Sequence, residues 1–263
     1  MKREVKIIIL CGESLPVFQQ KVIQSILCES RIIVSAILID SRPGASFIRR
    51  FKKNLKRGRG GYMLIMFFNH LRNNKEPVIG TRDFFSQRGI PCIETLNPYS
   101  KETVDSITPF SADLMVLLGG FGIVKEPLLS AVPEGILSYH HGDMRKYRGQ
   151  PAGFWELYHG EKEMGVTVQK IAAGLDKGTP IKEISVPILN TDDETGLYLR
   201  AKDLSVDMMR QAVLAVQEPD YQPKTIQRYG PVYTIPNLRQ YLKLKWMLMI
   251  QRFKGRVNRL TLG

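Results

Sequence analysis

The groups able to do chemistry in this chain of 263 residues crowd into positions 138–181, SYHHGDMRKYRGQPAGFWELYHGEKEMGVTVQKIAAGLDKGTPI. His140 and His141 stand side by side, Arg148 lies in Tyr147-Arg148-Gly149, and Asp176 lies in Leu175-Asp176-Lys177-Gly178. An imidazolium can steady a developing oxyanion. A carboxylate, or water bound to it, can take a proton from an attacking nucleophile. Taken alone, a His-His pair after a strand serves equally as metal ligands, as a core feature or as catalytic groups. Arg148 serves equally as half of a structural ion pair or as the anchor of an acidic group. Asp143 reads as bonding its own loop, and His159 as the cap of a helix end. Upstream, Gly119-Gly120-Phe121-Gly122 is either a tight turn after a strand or a place where a ligand meets bare backbone.

Other chemistries lose ground. Cys11, Cys28 and Cys92 are odd in number and form no Cys-x-x-Cys pair, which argues against a disulfide framework and a structural zinc site. No Gly-x-Gly-x-x-Gly follows the first apolar run, and no phosphate-binding loop of the Gly-x4-Gly-Lys-Ser/Thr type occurs. No metal is expected.

The elements that must position these groups read as α/β. Val5–Leu10 is a continuous apolar run, as a buried parallel strand requires, followed by helical spacing over 16–28 and a second such run over Ile32–Ile39. That order predicts a right-handed βαβ unit. Further strands are predicted at Ile90–Ile93, Leu114–Leu118, Gly135–Tyr139, Gly165–Ile171 and Ile181–Ile188, and one helix over Thr195–Val216. Ligands of open α/β sheets bind beyond the carboxyl ends of the strands, where the glycine turn and His140 both fall.

Four motifs in order then resemble the N10-formyltetrahydrofolate-dependent formyltransferases. That family carries Asn-x-His at a strand end, then Tyr-Arg-Gly, a helix, Gly-Val-Thr-Val and Leu-Asp-x-Gly. The matches here are His140, Tyr147-Arg148-Gly149, Gly165-Val166-Thr167-Val168 and Leu175-Asp176-Lys177-Gly178, with DLMVLLGGFGIVKEPLL upstream from Asp113. The resemblance covers residues 110–215 by motif and 1–40 by fold pattern. It implies a Rossmann-like open, mostly parallel sheet with a short basic C-terminal helical extension. It assigns His140 and Asp176 as catalytic groups, with Ser138 beside them. It implies that the donor, N10-formyltetrahydrofolate, lies on the loops Gly119–Ile123 and Ala173–Gly178, against Gly120, Phe121, Gly122, Ile123, Gly174 and Leu175. His141, Arg148 and Gly149 are expected to face the acceptor. One departure stands out: Ser138 occupies the place of the family asparagine, and a hydroxyl donates one hydrogen bond where an amide offers two. His141 or a backbone N–H is expected to supply the missing donor; without one the enzyme is slow or inactive.

Composition bounds the rest. Hydrophobic residues at 43% and charged residues at 24% exclude a wholly disordered or fibrous chain. The net charge of +13 comes from two acid-free stretches, residues 49–59 and 237–263, with seven bases each. Residues 1–216 read as the catalytic domain, with a basic insertion at 41–80, part helical and part mobile, and 217–263 as the extension. In that extension Leu238, Leu242, Trp246, Met249, Ile250, Phe253, Val257 and Leu260 follow helical spacing with bases opposite. Such a helix docks on the body, on the partner of a homodimer, or on an anionic membrane surface. The expected location is cytoplasmic, at the inner membrane face if the helix binds lipid. The acceptor implied is a small-molecule amine, a nucleotide-linked amino sugar for surface polysaccharide or glycolipid. Initiator tRNA is disfavoured because only residues 218–263 remain for a C-terminal domain. A formyltetrahydrofolate hydrolase and a non-catalytic folate or nucleotide-sugar binding module are the alternatives.

Overall fold

The computed structural model describes residues 4–44, 51–52, 54–61 and 77–260, with side chains as far as Phe253. Most of the expected insertion, its apolar stretch Tyr62–Phe68 and His70 included, lies outside the described residues.

The strands in chain order are β1 (Val5–Gly12), β2 (Ser14–Pro16), β3 (Ile32–Asp40), β4 (Val78–Gly80), β5 (Cys92–Thr95), β6 (Leu114–Leu117), β7 (Ile136–His140), β8 (Arg148–Gly149), β9 (Glu163–Lys170), β10 (Thr179–Pro187) and β11 (Val232–Tyr233). Seven of them form one sheet in the order β10-β9-β7-β6-β1-β3-β5. Its five strands from β7 to β5 are parallel, and β9 and β10 add on antiparallel. Residues Ile7–Cys11 of the central strand β1 are fully buried. Only a strand covered on both faces tolerates such an unbroken apolar run. One face is covered by α1 (Val17–Leu27), which buries Val22, Ile23 and Ile26 together with Met208, Met209 and Val213. The other carries Ile8, Leu10 and Met115 against Ile107 and Phe121. Two short helices, α2 (Thr81–Ser86) and α3 (Lys101–Ile107), flank the β5 edge, and α4 (Phe154–His159) comes after β8.

The expected helix over Thr195–Val216 is two helices, α5 (Glu194–Ser205) and α6 (Met208–Ala215). The break has a cause. The Tyr139 hydroxyl reaches in from β7, lies within donating distance of the Ser205 and Val206 carbonyls (2.7 and 3.3 Å) and accepts the Met209 N–H at 3.1 Å. A side chain thus replaces the ladder bonds that the interruption removes.

The C-terminal helix α7 (Leu238–Leu260) also differs from expectation. It docks through Leu244 and Leu248, which are buried, and through Lys245, 2.6 Å from Glu194. The stripe Leu242, Trp246, Met249 and Phe253 instead faces solvent, 56–68% exposed. No helix among the described residues is long and apolar enough to cross a membrane.

Candidate active site

Three chain segments converge at the carboxyl end of the sheet. β6 ends where Gly119 and Gly120 turn the chain. Gly120 has φ +90°, and a Cβ there would lie 3.0 Å from the Gly12 N at the end of β1, so only glycine fits. Gln19 of α1 bonds the Leu118 carbonyl at 2.9 Å, and Tyr99 and Arg42 both donate to the Phe121 carbonyl, at 2.5 and 3.3 Å. The glycine turn is therefore tied down from two sides.

The second segment is β7 with the turn after it. Strand alternation puts Ser138 and His140 on one face, Tyr139 and His141 on the other. The two imidazoles accordingly diverge. His141 stacks on Tyr139 and meets Phe18 and Tyr198 edge-on. Burial pushes its pKa down to about 3, helped by the nearby Lys202 charge, so it is a neutral ring; its Nε2 has no hydrogen-bond partner among the described residues. His140 is 6% exposed. Its Nε2 lies 2.8 Å from the Tyr147 carbonyl, which can only accept, and its Nδ1 lies 3.4 Å from Asp176 Oδ1. With an acceptor at each ring nitrogen, the imidazolium is the favoured form. Burial alone lowers the His140 pKa, but the Asp176 hydrogen bond and charge, the Tyr147 carbonyl and Glu156 outweigh it and leave it raised.

The third segment carries Asp176. The residue adopts φ +46°, the left-handed region that non-glycine residues rarely visit. Its Oδ2 accepts the Gly149 N–H at 2.8 Å. Burial works against the carboxylate, yet His140, that N–H and the Arg148 charge hold it below its ordinary range.

The C-terminal return clamps both loops. β11 pairs in parallel with β8, the Gly230 N–H bonds the Met144 carbonyl, and the Tyr229 hydroxyl reaches the Lys177 and Gly178 carbonyls at 3.1 and 3.2 Å. Arg148 donates to the Gly230 and Leu175 carbonyls at 2.7 and 3.2 Å, joining this return, a strap from Tyr229 to Tyr233, to the Asp176 turn. A Cβ on Gly149 would come within 2.1 Å of the Tyr233 carbonyl.

Between the segments lies a cleft of about 440 Å³. Ser138, His141 and Asp176 line it, as do Gly120, Gly122, Ile123, Gly174 and Leu175. The remaining expected residues sit elsewhere. The Phe121 side chain turns into the core, 2% exposed, and leaves only backbone at the turn. Arg148 and Gly149 stand behind Asp176 as its supports, not on the cleft wall. His140 touches the cleft only through Asp176. The motif reading expects room between these two groups for a one-carbon unit. They are in direct contact, so a reacting group must lie alongside. Asp143 accepts the Arg145 N–H of its own loop at 2.9 Å, and His159 ends α4 with Nδ1 3.0 Å from the Tyr147 hydroxyl.

Sequence reasoning missed two buried polar residues here. Glu156 is 2% exposed, and burial pushes its carboxyl up to about 7. Gln169 is 3% exposed and lines the cleft. The period-two pattern of β9 pointed to Gln169, because Thr167 and Gln169 share the face opposite Val166 and Val168. Among the described residues no cluster of three or more His, Cys, Asp and Glu could hold a metal ion.

Two features of the cleft would suit a folate donor. Its floor is bare backbone at the glycine turn, and Ile123 and Leu175 put apolar surface at its mouth, 55% and 40% exposed.

Comparison with known proteins points to one family. A model of the formyl transferase family matches residues 70–213. The methionyl-tRNA formyltransferase of Citrifermentans bemidjiense is 26% identical over 179 residues, 66% of this chain and 55% of the relative. That of Geobacter sulfurreducens is 30% identical over 121 residues, 46% of this chain and 38% of the relative. The chain thus spans about half the length of the curated relatives it matches, or less. Among solved structures, glycinamide ribonucleotide transformylase 1 from Symbiobacterium toebii superposes with a TM-score of 0.57 at 19% identity, over 87% of this chain and 95% of that one. The N-formyltransferase of Helicobacter canadensis, in complex with folinic acid and dTDP-3-aminofucose, gives 0.54 at 16%, over 89% and 72%. At these identities the superpositions speak for the fold. The sequence match over residues 70–213, through the His140 and Asp176 loops, places the chain in the formyl transferase family.

Proposed function

We propose that the chain transfers a formyl group from N10-formyltetrahydrofolate to a primary amine, and that the amine belongs to a nucleotide-linked amino sugar. The observation that carries the reaction is the direct His140–Asp176 contact at the wall of a backbone-floored cleft. The amine nitrogen bonds to the formyl carbon, the bond from that carbon to N10 breaks, and the formamide results. Asp176, or water bound to it, takes the proton the amine loses. The His140 imidazolium, held behind Asp176, lends positive charge to the site, and the proton taken from the amine passes on from Asp176 to the departing N10.

Lys202 supports the acceptor class. Its ammonium lies on the cleft wall, 4.4 Å from the centre of the Tyr198 ring, and suits a phosphorylated ligand. The test is incubation with N10-formyltetrahydrofolate and a panel of dTDP-, UDP- and GDP-amino sugars, read by mass. A gain of one formyl group on a sugar nucleotide supports the reading. Formylation of methionyl-tRNA alone overturns the acceptor, and release of formate without any amine overturns the transfer. The names of the curated relatives favour the tRNA as the competing acceptor.

The proposal extends to a partner surface. The exposed stripe Leu242, Trp246, Met249 and Phe253 runs along α7. Gly61, two residues past the first basic stretch, packs against Leu238, so the end of that stretch lies near the start of this helix. Apolar side chains flanked by excess bases suit an anionic lipid surface. Co-sedimentation with phosphatidylglycerol vesicles, lost in a Trp246→Ser/Phe253→Ser variant, is expected. Equal sedimentation of both proteins would overturn it, as would a dimer that dissociates in the variant.

A further inference from the structure

We infer that the Gln169 side-chain amide supplies the hydrogen-bond donor that Ser138 cannot; this rests on the formyl-transfer reading above. β7 and β9 pair so that Ser138 stands directly opposite Gln169. Directly paired residues project from the same face of a sheet with their Cβ atoms about 5 Å apart. Both side chains line the catalytic cleft, and both are buried, at 8% and 3% exposure. His140 projects from that same face two residues along, behind Asp176, so the amide and that carboxylate border the same cleft.

The orientation of the amide is fixed by chemistry. The Gly178 N–H lies 3.0 Å from Gln169 Oε1 and can only donate, so that atom must be the carbonyl oxygen. The NH2 end is then left for the cleft, and it makes no hydrogen bond among the described residues. Gly178 belongs to the same turn as Asp176. One side chain therefore anchors the carboxylate loop with its oxygen and presents two N–H groups with its nitrogen.

The other sources of a donor fit less well. His141 projects from the opposite face of β7, is packed among three aromatic rings and is neutral at working pH. The Ser138 hydroxyl carries a single proton to donate. The Gly178 N–H is already used by Gln169.

Two substitutions separate the donor from the anchor. Gln169→Glu keeps an oxygen for the Gly178 N–H and removes the NH2. Gln169→Leu removes both. Both variants should lose about 10²- to 10³-fold in kcat, with KM for the donor within about twofold, because the donor acts on charge that develops in the transition state. Only Gln169→Leu should lower the melting temperature. Adding Ser138→Asn to Gln169→Leu should restore at least about tenfold in kcat, since it returns an amide donor to the neighbouring position. A binding readout stands beside the rates. A carbon-for-nitrogen analogue of the donor, whose aldehyde hydrates to a tetrahedral diol, should bind Gln169→Glu at least about tenfold more weakly than the native chain. 5-Formyltetrahydrofolate, which lacks that centre, should bind both within about twofold, as the same principle requires. Native kcat in Gln169→Glu, or no gain from Ser138→Asn, overturns the assignment while leaving formyl transfer intact. A native chain that transfers no formyl group and binds neither folate would sink the underlying reading instead.

Discussion

Asp176→Asn is the sharpest single perturbation of the site. The native carboxylate stands 3.4 Å from the His140 imidazole. At an effective dielectric of about 20, unit charges at that separation attract by about 5 kcal/mol. Burial of both groups takes back several kcal/mol, as it does for most buried pairs. The amide removes the attraction and leaves the burial of His140 in place. Its pKa, raised above 6.5 in the native protein, should fall below that value. The site then lacks both its proton acceptor and its imidazolium at neutral pH. Single-turnover formyl transfer should slow by about 10²–10⁴-fold, the range for loss of such groups. The pH dependence gives an independent reading. A raised imidazole contributes stability that is complete below 6.5 and lost as pH rises through the folded value; a depressed carboxyl contributes stability present above 3.8 and lost as pH falls through its lowered value. In the native chain the pair is fully ionised between these limits, and activity that needs the imidazolium should decline on the alkaline side of 6.5. In the variant that decline should move to lower pH, and proton NMR of the His140 ring should show the same displacement. A variant that retains the native rate within a few-fold, or a His140 that still titrates above 6.5, would refute the pairing as the basis of the chemistry.

Three further outcomes rest on single contacts. Tyr229→Phe frees the Lys177 and Gly178 carbonyls and should cost about 1 kcal/mol in denaturant unfolding and about tenfold in kcat, because the Asp176 loop loses its outer support. Tyr139→Phe leaves the ends of α5 and α6 without their shared hydroxyl and should destabilise the chain by about 1–3 kcal/mol. Glu156, with a folded pKa of about 7 against 4.5, should contribute stability that is lost as pH rises between those values, by about 3 kcal/mol in all. Glu156→Gln should abolish that slope in urea titrations run from about pH 4 to 8.

Most of the sheet is legible in the sequence because its strands are doubly covered. Ile7–Cys11, Ile37–Ile39 and Leu114–Val116 must be apolar without interruption, and they read so. The pairing of His140 and Asp176 is legible for a different reason: each sits in a motif whose spacing is tied to the loops that bring them together. The break between α5 and α6 is not legible, since its cause is a hydroxyl some 70 positions away in sequence. The docked face of α7 is hidden because two apolar stripes compete on one helix. Leu244 and Leu248 are the pair that meets the body, while the longer stripe with the aromatic residues stays outside. Gln169 shows in the sequence only as a polar residue on one face of β9, and the register of β7 and β9 is what sets it beside Ser138.

The strap from Tyr229 to Tyr233 has a consequence for how the protein comes into being. Ribosomes deliver the imidazole at 140 and the carboxylate at 176 well before the residues that lock Arg148 and the Asp176 turn in place. A nascent chain can lay down the whole parallel sheet and still hold an unfinished cleft. In the reading proposed above, competence waits until residues 229–233 are laid against the Asp176 turn, and products shortened before Tyr229 should be inert.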